Sequence, residues 1–182
     1  MYIVTKQQLN YYIMKKFILL ISVALVTFSC SNTQDMTLYK ANLEVAKKYI
    51  STYESPTDFE LFKAMTDENI EHQSPMYGAG KVGYEEVLAQ GEFYMNGFEN
   101  VSFKADAWLP GVNEETLLVD GSVRVYGTWS GNNIASGKEF SVDTYHYFMV
   151  ENGKVVASGD YFDATGMVMA VQPDATEESS EE

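Results

Sequence analysis

The hydrophobic pattern changes its period once along the chain, and this change constrains the fold more than any other feature. Up to about residue 97, apolar side chains recur every three or four residues, as in helices that bury one face. From Val101 onwards they alternate with polar residues, as in antiparallel strands that have one buried face. Helices followed by strands predict an α+β domain.

Three helices are predicted in the first half of the chain. Their ranges are about 38–53, 59–65 and 84–97, and residues 69–73 between the last two are predicted to be a short strand. Thr57 and Glu60 have the spacing of a capping box at the start of the second helix. Pro56 separates that helix from the first.

Four longer strands are predicted after the helices, within 101–109, 117–129, 140–150 and 155–162. Asn152-Gly153 between the last two is the strongest hairpin signal in the chain and indicates a two-residue type I′ turn. We therefore expect a cone of three helices on a curved, mainly antiparallel four-stranded sheet plus a short strand.

A two-residue turn also predicts which residues share a face of the sheet. Pairing Glu151 with Lys154 places Tyr145 opposite Asp160, and His146 on the other face. The face of Tyr145 would carry Asp143, Tyr145, Tyr147, Ser158, Asp160 and Phe162. Such a face is either solvated or the polar lining of a pocket, and the residues alone leave both possibilities open.

Residues 38–171 resemble the nuclear transport factor 2-like superfamily, and its SnoaL-like and ketosteroid isomerase-like branch in particular. The likeness is carried by the amphipathic and capped helices, by IEHQSP at 70–75, by VENGKV at 150–155 and by YFD at 161–163. The resemblance implies a cone-shaped fold with a mostly apolar pocket, and it implies homodimers.

The resemblance also suggests site residues. His72 corresponds to the catalytic base of ketosteroid isomerases, Tyr49 to their oxyanion-hole tyrosine, and Tyr145 to the protonated aspartate that completes the hole. Two of these positions differ chemically from the isomerases, so steroid isomerisation is not expected. Asp143 and Asp160 would orient these groups or act as acids. Predicted ligand contacts come from Phe62, Leu88, Tyr147 and Phe162.

Each of these residues also has a structural explanation. His72 can be a hydrogen-bonded strand histidine, Tyr49 a core residue, and the pair of Tyr145 and Asp160 a cross-strand contact. Because no second histidine is expected on the inner face, we favour binding of a small, largely apolar ligand.

Two other functions stay open. One is a cofactor-independent isomerase, cyclase or dehydratase that uses His72 as general base and Tyr49 and Tyr145 as oxyanion donors. The other is a dimeric association module with a vestigial pocket. A cavity of about 300 Å³ or more would favour a binding site over the association module.

Residues Met14 to Cys30 have the pattern of an export signal. Two lysines precede an apolar run, and Ser29 stands directly before Cys30, the only cysteine. The ending resembles a bacterial lipoprotein signal of the Bacteroidetes type, which implies lipidation at Cys30 and attachment to the cell envelope, at the outer membrane. The alternative is an ordinary signal peptide with a chance cysteine.

The predicted organisation follows from that signal. Residues 1–29 are a signal peptide with Met14 as the true start, 30–37 a lipidated tether, 38–171 the folded domain and 172–182 an acidic disordered tail.

The composition of the chain further restricts the classes of partner that the protein can bind. The chain has 182 residues with 26 acidic and 12 basic side chains, a formal net charge of −14, which works against binding to nucleic acid. One cysteine and two histidines exclude an intramolecular disulfide framework and a Cys/His zinc site. We expect no metal and no cofactor, and the partners are a small apolar molecule, the membrane through Cys30 and a second copy of the chain.

Overall fold

The computed structural model describes Met14 and residues 35–174, and the domain formed by 35–174 is α+β, as predicted. Its helices are α1 (Thr37–Ser51), α2 (Phe59–Met65), α3 (Tyr84–Gly97) and α4 (Ala164–Ala170). Its strands are β1 (Thr66–Gln73), β2 (Lys81–Val82), β3 (Phe98–Val112), β4 (Val119–Asn133), β5 (Glu139–Glu151) and β6 (Lys154–Tyr161).

The six strands form one mixed sheet in the order β2-β1-β6-β5-β4-β3. Strand β1 runs parallel to β6, and all other neighbours are antiparallel. The prediction of four strands plus a short one is therefore incomplete. Strand β2 is too short to show alternation, and the pairing of β1 with β6 joins segments that lie far apart in sequence.

Aspartate side chains cap the starts of helices α2 and α4. The Asp58 side chain accepts a hydrogen bond of 2.9 Å from the backbone N–H of Leu61, so Asp58 caps α2 and the predicted Thr57 capping box is wrong. Asp163 caps α4 in the same way through Gly166. The sequence pattern does not predict helix α4, because it is short and lies beyond the last strand.

Aromatic side chains from α1, from the turn after it and from α2 fill the space between the helices and the sheet. Phe62 is fully buried, and its ring centroid lies 5.1 Å from those of both Tyr49 and Tyr53. A Cβ atom at Gly91 of α3 would clash with the Phe62 ring, so this glycine lets α2 and α3 approach closely. Buried strand residues such as Val123 and Phe148 complete the core.

The β5–β6 hairpin has the predicted turn but not the predicted register. Asn152 and Gly153 both have positive φ, as a type I′ turn requires, and Glu151 pairs with Lys154. Val150 pairs with Val155, but Met149 already pairs with Ala157, which leaves Val156 as an extra residue in a β-bulge.

The bulge changes which side chains share a face. Beyond it, Asp160 pairs with His146 and Tyr145 pairs with Tyr161. Because side chains alternate between faces, a shift of one residue moves Asp160 to the face opposite Tyr145. The predicted pairing of Tyr145 with Asp160 is therefore wrong.

None of the helices in the described part of the chain combines the length and apolar content that a membrane span needs. The predicted signal peptide, Cys30 and most of the tether and tail lie outside the described residues, apart from Met14, 35–37 and 172–174.

Candidate functional site

A cavity of about 90 Å³ lies between the inner face of the sheet and helices α1, α3 and α4. It is smaller than the roughly 300 Å³ expected of a binding site, so its volume does not favour a binding site over an association module. Its walls are mainly aromatic and aliphatic, and a small set of polar side chains faces the space. The cavity therefore suits a molecule of only a few non-hydrogen atoms.

Asp160 of β6 is the polar centre of this cavity. Its side chain is 20% exposed. Oδ1 accepts a hydrogen bond of 2.7 Å from Nδ1 of His146, and Oδ2 accepts one of 3.3 Å from Nε2 of Gln90. Among the described residues that line the cavity, Asp160 is the only carboxylate, and no Lys or Arg accompanies it.

Trp129 determines which nitrogen of His146 carries the proton. The indole Nε1–H lies 3.0 Å from Nε2 of His146 and can only donate, so Nε2 must present a lone pair. The proton is then on Nδ1, where it is donated to Asp160. Trp129 and His146 thus hold the carboxylate in a fixed orientation.

Gln90 and Ser158 orient the second histidine, His72 of β1. The Oγ–H of Ser74 donates to Oε1 of Gln90 (3.2 Å), so the Gln90 amide NH₂ faces His72 and Asp160. Nε2 of His72 accepts from that NH₂ at 3.3 Å, and Nδ1 donates to Oγ of Ser158 at 2.9 Å. Nε2 of His72 also lies 3.6 Å from Oδ2 of Asp160.

Burial and neighbouring charge set the ionisation of these groups. Burial lowers the pKa of His72 below its ordinary value, against the opposing influence of Asp160. Burial alone would raise the pKa of Asp160, but the interactions with His146, His72 and Gln90 outweigh it, and the net direction is down. At neutral pH the site therefore holds a carboxylate beside neutral His72.

Three tyrosines place hydroxyl groups around the same cavity. The Tyr49 hydroxyl donates to Oγ1 of Thr66 at 3.0 Å, since the Thr66 hydroxyl proton is directed to the carbonyl of Phe62. Burial raises the pKa of Tyr49, Tyr53 and Tyr94, and Asp160 adds to the rise at each of them. All three phenols are therefore hydrogen-bond donors and not phenolates at neutral pH.

Of the residues predicted for the site, Tyr49, His72, Asp160 and Phe162 line the cavity. Asp143, Tyr145 and Tyr147 lie on the outer face of the sheet, so the structure removes them from the site. Phe62 packs behind Tyr49 in the core, and Leu88 packs against the core without lining the cavity.

The outer-face residues make contacts of their own. The Tyr145 ring lies 4.9 Å from that of Tyr126 and 5.5 Å from that of Tyr161, measured between centroids. The Arg124 guanidinium lies over the Tyr147 ring, and Asp143 accepts a hydrogen bond from Thr128. We call Tyr126, Tyr145, Tyr147 and Tyr161 the outer tyrosine cluster.

Sequence reasoning missed four residues that shape the cavity: His146, Trp129, Gln90 and Tyr94. The predicted register puts His146 on the face opposite Asp160, and only the bulge at Val156 brings the two together. Nothing in the sequence of 154–160 marks that bulge, because Val155 and Val156 are both ordinary strand residues. Within 35–174, no three His, Cys, Asp or Glu side chains are arranged to hold a metal ion.

No protein-family model matches this sequence. No curated protein matches it either. The folded structure nevertheless has clear counterparts among solved structures.

Three of these counterparts illustrate the likeness. An NTF2-like protein from Burkholderia thailandensis is 23% identical, with a TM-score of 0.52 over 75% of this chain and 98% of that chain. A proposed SnoaL-like polyketide cyclase from a Jannaschia species is 15% identical, with a TM-score of 0.57 over 79% and 96%. A protein of ketosteroid isomerase-like fold from Catenulispora acidiphila, solved with trimethylamine, is 12% identical, with a TM-score of 0.56 over 70% and 92%.

This chain therefore has the nuclear transport factor 2-like fold. At these identities the likeness establishes the fold alone.

Proposed function

We propose that the domain is a cofactor-independent enzyme that moves a proton within a small substrate, as an isomerase, cyclase or dehydratase does. The observation that carries the proposal is the Asp160 carboxylate, which faces an apolar cavity and is held by the Nδ1–H of His146 at 2.7 Å. A carboxylate in such a position can act as a general base and then as a general acid.

The neighbours of Asp160 have distinct roles in this proposal. His146 and Trp129 are positioning residues. Both ring nitrogens of His146 and the indole nitrogen of Trp129 are already hydrogen-bonded, so these side chains orient the carboxylate and leave proton transfer to it. The sequence predicts His72 as the base, but its Nε2 lone pair already accepts a hydrogen bond from Gln90. We therefore assign proton abstraction to Asp160 and give His72 a positioning role through Ser158 and Gln90.

The structural neighbours support this class of function. One of them is a proposed SnoaL-like polyketide cyclase, and cyclases and isomerases share the need for a positioned acid–base group. The small cavity of this chain points to a smaller substrate than a polyketide.

Hydrogen–deuterium exchange at carbon tests the proposal before the natural substrate is identified. The purified domain is incubated in D₂O with small enolisable ketones and lactones, and loss of the α-proton signals is followed by NMR. Replacing Asp160 with Asn should lower the exchange rate by about 10²-fold or more. Asp143→Asn is the matched control, since it makes the same change on the outer face and should keep the wild-type rate.

Binding of a small alkylammonium cation is a second candidate function. Asp160 has no Lys or Arg partner among the described lining residues, and aromatic rings with a carboxylate recognise alkylammonium ions. The structural neighbour solved with trimethylamine supports this alternative. Calorimetric titration with trimethylammonium would reveal binding that Asp160→Asn abolishes, without any exchange at carbon.

The proposal also includes attachment to the cell envelope and assembly as a homodimer. Lipidation at Cys30 would hold the domain at the cell envelope, as the sequence of 14–30 suggests. The outer tyrosine cluster supports a homodimer, because Tyr126 and Tyr161 are 49% and 50% exposed and tyrosine is enriched at protein interfaces.

A further inference from the structure

A group of exposed apolar side chains lies where the β3–β4 hairpin meets the start of helix α1. These residues are between 48% and 67% exposed, and they are Leu38, Val112, Leu117 and Leu118. We call this group the apolar tip. Single exposed leucines are common on protein surfaces, whereas several that lie together mark an interaction site.

Contacts between the hairpin and α1 bring these residues to one end of the domain. Val112 pairs with Val119 where β3 ends and β4 begins. Two residues further along β4, a Cβ atom at Gly121 would clash with Leu38, so the Leu38 side chain covers that glycine. The Asn42 amide donates a hydrogen bond of 2.9 Å to the Gly121 carbonyl and holds α1 against β4. The first turn of α1 and the hairpin therefore form one surface.

The loop of the hairpin, residues 113–118, is held in place by its own hydrogen bonds. Oδ1 of Asn113 accepts from the backbone N–H (2.9 Å) and the Oγ–H (3.1 Å) of Thr116. The N–H of Leu117 donates to the Asn113 carbonyl and the N–H of Asn113 to the Leu118 carbonyl, both at 2.9 Å. The two leucines are therefore presented to the outside by a fixed loop.

The backbone of Leu117 is strained. Its φ is 57°, in the left-handed region that a bulky side chain disfavours. The other two non-glycine residues with positive φ in the described part of the chain, Asn100 and Asn152, are of a type that adopts this conformation readily. An exposed leucine at a strained position points to a contact of its side chain outside the chain.

The charges near the apolar tip restrict the kind of partner. Residues 109–120 include Glu114, Glu115 and Asp120 but no lysine or arginine. This end of the hairpin therefore has no cation that would attract anionic lipids, and its two loop glutamates would be repelled by them. A zwitterionic surface lacks this repulsion, and burial of the apolar side chains would supply the attraction.

The chain that precedes α1 identifies the partner. Cys30, the proposed lipidation site, lies seven residues before Thr37, and seven residues span at most about 25 Å. Strand β4 begins beside the apolar tip and has 15 residues, a length of about 50 Å. A lipid chain at Cys30 would therefore keep the apolar tip close to the bilayer, whereas the opposite end of β4 is free to lie much further away.

We propose that the apolar tip docks on the zwitterionic bilayer surface that holds the lipid anchor and inserts Leu117 and Leu118 between the headgroups. This inference rests on the lipidation proposed at Cys30 and adds a second membrane contact to it. A single acyl chain anchors a protein only weakly, so the leucines strengthen the attachment. They also fix the orientation of the domain, which a tether alone would leave free to turn.

Paramagnetic broadening of methyl NMR signals tests this contact. Residues 30–182, labelled with ¹³C at the leucine and isoleucine methyl groups, are coupled through Cys30, the only cysteine, to a maleimide lipid in phosphatidylcholine nanodiscs. A gadolinium-chelating lipid in the same discs broadens the signals of methyl groups near the bilayer. The signals of Leu117 and Leu118 should disappear, while that of Ile134, just beyond the opposite end of β4, should stay sharp.

A double variant, Leu117→Asn with Leu118→Asn, measures how much the two leucines contribute. It should fold, because asparagine adopts a positive φ more readily than leucine. The relaxation enhancement at the Leu38 methyl groups should fall by about three- to ten-fold as the docked population decreases. Ile134→Asn is the matched control. It removes an isoleucine that is 53% exposed at the opposite end and should leave the Leu38 signal as broad as in the wild type.

Three results would overturn the proposal. Equal broadening at Leu118 and Ile134 would show that the domain has no fixed orientation on the bilayer. An unchanged Leu38 signal in the folded double variant would show that the leucines make no membrane contact. A change from dimer to monomer in the double variant, measured by light scattering without lipid, would assign the apolar tip to a contact between two copies of the chain.

The lipid anchor and the docking of the apolar tip fail separately. The nanodisc experiment attaches the lipid chemically, so it does not depend on lipidation in the host cell. If Cys30→Ser left the partitioning in the host unchanged, the proposed anchor would be wrong, while selective broadening of Leu117 and Leu118 would still support docking of the apolar tip. Circular dichroism melting of each variant confirms that it is folded.

Discussion

Nδ1 of His146 lies 2.7 Å from Oδ1 of Asp160, across a directly facing pair on β5 and β6. The pair connects the apolar cavity to the indole of Trp129, which lies 3.0 Å from the other ring nitrogen. Carboxylate, imidazole and indole therefore form one hydrogen-bonded row across three neighbouring strands, and each member determines the orientation of the next.

The role of Trp129, which lies at one end of this row, can be tested by substitution. Trp129→Phe keeps an aromatic ring against Phe103 but removes the N–H that selects the tautomer of His146. We expect kcat for proton exchange to fall by about three- to ten-fold, since one hydrogen bond is lost, with KM little changed. Steady-state exchange kinetics in D₂O would measure both constants. A rise in KM with kcat unchanged would show that Trp129 contacts the substrate instead.

The depressed pKa of His72 predicts how stability depends on pH. The unfolded chain binds a proton at His72 near its ordinary pKa of about 6.5, whereas the folded chain resists protonation until lower pH. The contribution is therefore fully present above about pH 6.5 and is lost as pH falls through the folded pKa.

Urea unfolding at several pH values between 7.5 and 5.0 checks this sign. The free energy of unfolding of the wild type should decrease toward low pH more steeply than that of His72→Asn. An NMR titration of the two histidine Cε1–H signals, assigned with the same variant, should place the pKa of His72 below about 6.5. A value above that would contradict the prediction.

The two tyrosine hydroxyls that differ in bonding should differ in their effect on stability. Tyr49→Phe removes a hydrogen bond to Thr66 and should lower the free energy of unfolding by about 1 kcal/mol. Tyr94→Phe removes a buried hydroxyl that has no partner among the described residues, so stability should be unchanged or rise by up to about 1 kcal/mol. Denaturant unfolding of the ligand-free domain measures both, and equal losses would contradict the assignment.

The proposed attachment to the envelope depends on Cys30. Cys30→Ser should move the protein from the membrane fraction to the soluble fraction of the host cell. Stable attachment would itself indicate more than one acyl chain, because a single chain anchors only weakly. Identical partitioning of the wild type and the variant into the soluble fraction would show that the lipoprotein assignment is wrong.

The outer tyrosine cluster makes the proposed dimer testable. Light scattering on residues 36–182 should give about twice the monomer mass at micromolar concentration. Tyr161→Asp places a charge in the middle of the cluster and should shift the mass to that of a monomer. Asp143→Asn removes a charge from the same face and should leave the dimer intact.

Local sequence signals predicted much of this fold. The stripe that contains Tyr49, the stop near Gly97 and the turn at Asn152-Gly153 each depend on neighbours within a few residues, and the structure has all three features. The parallel contact between β1 and β6 could not be predicted in this way. It depends on packing between segments that are distant in sequence, such as His72 against Ser158.

The composition of the site was harder to predict than the fold for one physical reason. Side-chain direction in a strand reverses at every residue, so an error of one in register exchanges the two faces. His72 and Tyr49 lie before the hairpin and line the cavity as expected. His146 also lines the cavity and Tyr145 lies on the outer face, which is the reverse of the prediction.

The extra residue in β6, Val156, determines which side chains beyond it face the cavity and which face outward. Substitutions along β5 and β6 change one side chain at a time, but loss of this single residue would turn the Asp160 carboxylate outward among the tyrosines. Insertion or deletion of one strand residue is therefore the smallest sequence change by which this sheet could lose a buried acid or gain one elsewhere. Alignments of distant proteins with this fold should accordingly be scored for one-residue gaps in the last hairpin before equivalent site residues are assigned.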